Sequence, residues 1–214
     1  MIGIIDYGMG NLYSVKKALE RLDIPYFVSE HPEELAEADG LILPGVGAFR
    51  DAMNLIRENG QFEFIEHWAA DGKPLLGICL GMQLLFEGSD EHGETEGFGF
   101  LPGYARRFSG KDSQGRRLKV PHMGWNSLKF HQPDHPLLKN VEEGHAYFVH
   151  SYVIETADPD VLIATSDYGE TVPAVVGRGE VMGTQFHPEK SSTVGIGMLK
   201  NFGAIVRERS GAHE

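Results

Sequence analysis

The chain holds a single cysteine, Cys79, in the run Leu75-Leu76-Gly77-Ile78-Cys79-Leu80-Gly81-Met82-Gln83, with a glycine two residues to either side. G-x-C-x-G is the thiol form of the nucleophile elbow, where the reactive residue sits on a strained strand-to-helix turn and small flanking residues let strand, turn and helix approach closely. Pro74 to Ile78 is predicted as the strand and Leu80 to Phe86 as the start of the helix. A helix N-terminus behind Cys79 would favour thiolate over thiol through unpaired N–H groups and the macrodipole. A buried core cysteine fits the same run. The nucleophile reading therefore depends on the chain also supplying a base, an orienting group and oxyanion donors.

A second stretch, Thr184-Gln185-Phe186-His187-Pro188-Glu189-Lys190, supplies two of these. In extended backbone, residues i and i+2 share a face, and Pro188 biases His187 away from helical angles. Glu189 can then orient one imidazole nitrogen and leave the other to take the thiol proton. Alone, His-Pro-Glu would fit a surface turn as well. The third element is the glycine turn Pro44-Gly45-Val46-Gly47 after an apolar run. Thiol, His/Glu pair and glycine turn together make the nucleophile, base, orienter and oxyanion donors of acyl transfer. The expected donors are the backbone N–H of Leu80 and one N–H within Gly45, Val46 and Gly47.

These residues need a scaffold, and the pattern around them alternates strands with helices. Met1 to Tyr7, Pro25 to Ser29 and Gly40 to Leu43 read as strands. Leu12 to Leu22 reads as an amphipathic helix with Asn11 as N-cap, followed by helices over His31 to Ala38, Ala48 to Glu58 and Phe62 to Ala70. Such alternation predicts an α/β fold with a central, mostly parallel sheet flanked by helices. Glu87 to Gly97 reads as a polar, acidic loop. From Phe98 onward short runs predict additional, partly antiparallel strands over Gly103 to Phe108, Arg117 to Val120, His145 to Glu155, Val161 to Ser166 and Ala174 to Phe186. A helix from Val194 to Arg207 closes the chain, with a frayed tail from Glu208 to Glu214.

With 214 residues, 41% hydrophobic and 23% charged, the composition is that of a globular protein, expected as one domain over residues 1–214. One cysteine excludes an intramolecular disulfide framework. The start Met1-Ile2-Gly3-Ile4-Ile5-Asp6 lacks a signal-peptide pattern, and no run is long enough for a membrane span, so a cytoplasmic location is expected. A formal charge of −12 argues against nucleic acid or an anionic membrane as main partner.

Gly77-Ile78-Cys79-Leu80-Gly81-Met82-Gln83 together with Gln185-Phe186-His187-Pro188-Glu189 resembles the class I, or triad, glutamine amidotransferases over nearly the whole chain. Asp6-Tyr7-Gly8-Met9-Gly10-Asn11, Pro121-His122-Met123-Gly124-Trp125-Asn126 and Tyr147-Phe148-Val149-His150-Ser151-Tyr152 narrow the resemblance to glutaminase subunits of imidazole glycerol phosphate synthase. The resemblance implies the amidotransferase α/β fold, hydrolysis of L-glutamine to glutamate and ammonia, and no cofactor or metal. It also implies a heterodimer with a (β/α)8-barrel cyclase that uses the ammonia in histidine biosynthesis. Gln83, Glu91, Ser151 and Tyr152 match positions that hold glutamine in such relatives. A carboxylate suits the α-ammonium, and amide, hydroxyl or backbone groups suit the rest.

For the partner face the candidates are Trp125, Asn126 and Lys190, with Asn11 in the first motif. Tryptophan is enriched where contacts dominate binding energy, although a core position is the commoner one. Lys190 could form a salt bridge to the partner or simply be solvated. Three other functions compete with this one: a cysteine peptidase of related fold, a γ-glutamyl hydrolase and a non-catalytic regulator. The peptidase would place a histidine where Leu80 stands, the hydrolase would usually be secreted, and the regulator would have lost part of Cys79, His187 and Glu189.

Overall fold

The computed structural model describes residues 1–211. In its first half, β1 (Ile2–Ile5), β2 (Tyr26–Ser29), β3 (Gly40–Leu43) and β4 (Leu75–Ile78) alternate with α1 (Leu12–Arg21), a single turn α2 (Pro32–Leu35), α3 (Phe49–Glu58) and α4 (Phe62–Ala70). After β4 come α5 (Leu80–Leu84), β5 (Gly88–Ser89), β6 (Thr95–Glu96), β7 (Tyr104–Arg107), β8 (His122–Ser127), β9 (Lys129–Phe130), β10 (His145–His150) and β11 (Tyr152–Glu155). The chain closes with β12 (Leu162–Asp167), β13 (Thr171–Arg178), β14 (Val181–Thr184) and α6 (Ser192–Gly211).

The main sheet runs β2-β1-β3-β4-β14-β13-β12-β9. Its β2, β1, β3, β4 and β14 are parallel, whereas β13, β12 and β9 add antiparallel pairings. Strands covered on both faces read as continuous apolar runs, and β1, β3 and β4 are buried at every position. Side-chain alternation divides them between two cores. Ile4, Ile42 and Leu76 join Val15 and Leu19 of α1 and Leu199 and Phe202 of α6. Ile5, Leu41, Leu43 and Leu75 join Phe49, Met53 and Ile56 of α3 and Ile65 and Trp68 of α4. The site lies at the carboxyl ends of β3, β4 and β14, where open α/β sheets place ligands.

Several boundaries differ from the sequence expectation. The helix expected over His31 to Ala38 is one turn, started by Pro32. The acidic loop carries β5 and β6, which pair antiparallel and join β7 and β11 in a second sheet. Arg117 to Val120 forms no strand, only the isolated bridge between Arg117 and Lys111. His145 to Glu155 is two strands: β10 pairs with β8, β11 pairs with β7, and the chain changes partner at Ser151, whose carbonyl accepts the Phe108 N–H. The helix α6 continues to Gly211, so the tail expected from Glu208 is helical that far, and residues 212–214 lie outside the described residues. Among the described residues no helix is long and apolar enough to cross a membrane.

Candidate active site

Cys79 occupies the turn between β4 and α5 with φ 56° and ψ −115°, a backbone region that a non-glycine residue holds only when its surroundings impose it. Here the constraint is visible. The Cys79 N–H donates to Thr184 O at 2.8 Å, and its carbonyl accepts from the N–H of Met82 at 3.0 Å. A Cβ on Gly81 would lie 1.9 Å from Leu43 O, and one on Gly77 would lie 2.6 Å from Gly81 O. The two glycines thus let β3, β4 and α5 meet behind the thiol. The helix is shorter than expected, because Leu85 and Phe86 tighten into bonds three residues back.

His187 follows β14 in extended backbone, and its Nδ1 lies 2.9 Å from Glu189 Oε1. Glu189 reaches it from a 3-10 turn, Pro188–Lys190, rather than from a continuing strand. Both residues are buried. Ser14 Oγ of α1 donates to the same Glu189 oxygen at 3.4 Å, while Oε2 is buried without a partner among the described residues. Ser191 Oγ donates to His187 O at 2.7 Å and accepts from the Tyr147 N–H at 2.9 Å, fixing the turn. Burial is the largest influence on His187 and disfavours its charge. Hydrogen bonds and charges from Cys79 and Glu189 outweigh it and push the imidazole up to about 10. With Nδ1 held by Glu189, Nε2 is left for the Cys79 thiol.

The glycine turn follows β3. Tyr7 Oη donates to Pro44 O at 2.7 Å, and the Leu80 N–H donates to Gly45 O at 3.2 Å. Burial holds the Tyr7 hydroxyl well above its ordinary pKa, so it stays a donor. Gly47 has φ 104°. In this conformation the Leu80 N–H is taken up by Gly45 rather than directed into the cavity.

That cavity, about 560 Å³, is lined by Cys79, His187, Val46 and Gly47 and by Gln83, Glu91, Ser151 and Tyr152, the four residues expected to hold glutamine. Gln83 Nε2 donates to Tyr152 O at 3.2 Å and to Gln185 Oε1 at 3.1 Å. Glu91 Oε2 accepts the Phe49 N–H at the start of α3 at 3.2 Å. His150 also lines the cavity, a residue the sequence reading quoted in a motif but assigned no role.

A family model described as glutamine amidotransferase class-I matches residues 3–206. The chain belongs to the class-I glutamine amidotransferases. This amidotransferase is 65% identical over 208 residues to the imidazole glycerol phosphate synthase subunit HisH of Halalkalibacterium halodurans, covering 97% of each chain. It is 57% identical over 209 residues to the HisH subunit of Bacillus subtilis, covering 98% of each. Among solved structures, a crystal structure of glutamine amidotransferase superposes with TM-score 0.71 at 23% identity, covering 98% of both chains. PurLQS from Thermotoga maritima does so with TM-score 0.67 at 20% identity, covering 99% of this chain and 97% of that one. These two likenesses show the fold alone.

On the amidotransferase surface, Trp125 is 55% exposed beside Met123 at 61%, both on the outer face of β8. Asn126 points to the opposite face, where its Nδ2 donates to Asp167 O at 2.8 Å, so it does not stand beside Trp125. Asn11 is exposed and caps α1 by accepting the Ser14 N–H at 3.4 Å. Lys190 is exposed at the end of the Glu189 turn. The contact of Ser14 with Glu189 sets the start of α1 against that turn, and the neighbouring Tyr13, to which the sequence assigned no role, is 69% exposed.

Proposed function

We propose that this amidotransferase is the glutaminase subunit of an imidazole glycerol phosphate synthase, acting through Cys79, His187 and Glu189. The observation that carries the reading is the joint placement of a thiol, a histidine and four polar residues around one cavity. The Cys79 thiolate attacks the side-chain amide carbon of glutamine. The tetrahedral oxyanion then collapses, the C–N bond breaks, and His187 gives its proton to the departing ammonia. Water attacks the resulting thioester with His187 as base, releasing glutamate and restoring the thiolate. Glu189 holds the ring and stabilises its charge without exchanging a proton itself.

The Leu80 N–H and an N–H of the Gly45 to Gly47 turn serve the oxyanion. Glu91 takes the α-ammonium, and Gln83, Ser151 and Tyr152 bind the remaining polar groups. Ammonia passes to a (β/α)8-barrel cyclase docked over Asn11, Trp125 and Lys190, with Asn126 supporting that face from within, and the complex works in the cytoplasm. The names of the HisH relatives support this assembly. The test is Cys79→Ala in the complex with the cognate cyclase. Glutamine-dependent synthesis should vanish while synthesis from free ammonia continues, and retention of glutamine-dependent activity would remove Cys79 as nucleophile.

A further inference from the structure

His122 of β8 and His150 of β10 face each other across the ribbon, 2% and 6% exposed, with His122 Nδ1 2.9 Å from His150 Nε2. Hydrogen positions on a histidine follow from what its neighbours can accept. At one end, His150 Nδ1 lies 2.8 Å from the carbonyl of Tyr152, which only accepts, so Nδ1 carries the hydrogen. At the other, Asn126 Nδ2 lies 3.2 Å from His122 Nε2. The orientation of that amide is set independently, because Nδ2 also donates to Asp167 O and Oδ1 accepts the Ser127 N–H, both at 2.8 Å. His122 Nε2 therefore accepts.

Both ends demand the same direction. With neutral rings, Asn126 donates to His122 Nε2, His122 Nδ1–H donates to His150 Nε2, and His150 Nδ1–H donates to Tyr152 O. That carbonyl also accepts from Gln83. An extra proton on either ring would set N–H against N–H. Burial opposes it, pushing His150 down to about 3 and His122 to about 4. Stacking of His122 on Phe148 and Tyr168, with centroids 4.7 and 4.2 Å apart, fixes its plane.

The ends of this chain give it a role. Asn126 follows Trp125 in the β8 backbone, its side chain on the opposite face, whereas Tyr152 and Gln83 line the cavity. We propose that His122 and His150 are positioning residues, a one-directional hydrogen-bond relay that sets Tyr152 and Gln83 for glutamine and ties them to the strand bearing Trp125. The inference rests on the glutaminase reading.

The test uses the complex with its cyclase. His122→Phe keeps a stacking ring but removes the middle donor, whereas His122→Asn can place an amide N–H where Nδ1–H stood. His122→Phe should raise the KM for glutamine about ten-fold, the scale of one lost buried hydrogen bond, with kcat at saturation little changed. His122→Asn should bring KM back towards wild type. In wild type, imidazole 15N spectra should show both rings with hydrogen on Nδ1 and none on Nε2 from pH 8 to pH 5. That measurement decides the matter even if His122→Phe fails to fold. An Nε2–H tautomer at either ring, or an unchanged KM in folded His122→Phe beside an active wild type, overturns the relay alone. A wild-type complex unable to hydrolyse glutamine overturns the glutaminase reading and this inference with it.

Discussion

The carbonyl of Gly45 accepts the backbone N–H of Leu80 at 3.2 Å, directly beside the Cys79 turn. One of the two groups expected to stabilise an oxyanion is thereby engaged by the very segment expected to supply the other. Rotating the peptide between Gly45 and Val46 would withdraw the carbonyl, free Leu80 and turn the Val46 N–H inward. Glycine at position 45 permits such a rotation at small steric cost, and Tyr7 holds Pro44 in place beneath it.

The consequence is kinetic. Each missing oxyanion donor is worth about 10²–10³ in rate. Glutamine hydrolysis by the chain alone should therefore be at least about 10²-fold slower in kcat than in the complex with cyclase and cyclase ligand, with little change in KM. Steady-state assays decide this, and equal turnover by the isolated chain would rule it out.

The pair His187 and Glu189 should not be equally sensitive. His187→Asn removes the proton carrier and should cost about 10³-fold or more in turnover. Glu189→Gln keeps an acceptor for His187 Nδ1–H and for Ser14, so its loss should be at least about ten-fold smaller. Assays at saturating glutamine check the order, and its reversal would exchange the assigned roles.

The φ of 56° at Cys79 predicts a stability effect separable from activity. Backbone strain at such a residue costs about 1–3 kcal/mol, against about 0.5–1 kcal/mol for the extra freedom of glycine in the unfolded chain. Cys79→Gly should therefore be more stable than Cys79→Ala by about 1 kcal/mol, or about 2–4 °C in Tm. Thermal unfolding of the two inactive variants compares them directly, and a less stable Cys79→Gly would refute the strain argument.

Why the elbow was legible and the relay was not follows from the range of the interactions. Cys79 and its glycines lie within five residues, and β1, β3 and β4 are buried on both faces, so their apolar runs stand out locally. In β8 the large residues Met123 and Trp125 face outward, which inverts the usual pattern and hides the strand. β5 and β6 are two-residue pairings of Gly88-Ser89 with Thr95-Glu96, too short for any periodicity. The split at Ser151 arises from a change of partner strand, while alternation in the chain itself continues. His122 and His150 meet through cross-strand register, and the orientation of the Gly45 carbonyl is a backbone choice that residue type leaves open.

Acid should destabilise the fold through His122 and His150. An unfolded histidine titrates near 6.5, whereas His122 and His150 are pushed down to about 4 and about 3. As pH falls below 6.5 the unfolded chain binds protons that the folded chain refuses, so stability drops. It does so by up to about 1.4 kcal/mol per pH unit for each group. His187, raised to about 10, contributes its full share throughout this window and loses it only as pH rises from 6.5 towards 10. Denaturant unfolding between pH 6.5 and 5 should show a shallower slope in His122→Phe than in wild type. Identical slopes would mean that His122 takes up its proton in the folded state.

Docking should depend on Trp125 more than on Lys190. Trp125 presents a large ring at 55% exposure, flanked by Met123, and truncating a central aromatic anchor typically costs about 2 kcal/mol or more, some thirty-fold in Kd. Lys190 is a solvated charge, and a rim charge mainly alters association rate and salt dependence. Neither side chain lines the cavity that holds Cys79 and His187. Trp125→Ala should therefore raise the cyclase concentration needed for half-maximal stimulation about thirty-fold at any salt concentration. Lys190→Ala should raise it only a few-fold, roughly within 1 kcal/mol, with the difference fading as salt screens the pair. Both should leave the slow hydrolysis by the chain alone unchanged. Titrating cyclase into each variant at low and high salt measures all of these quantities, and Trp125→Ala responding like wild type would place the partner on another face.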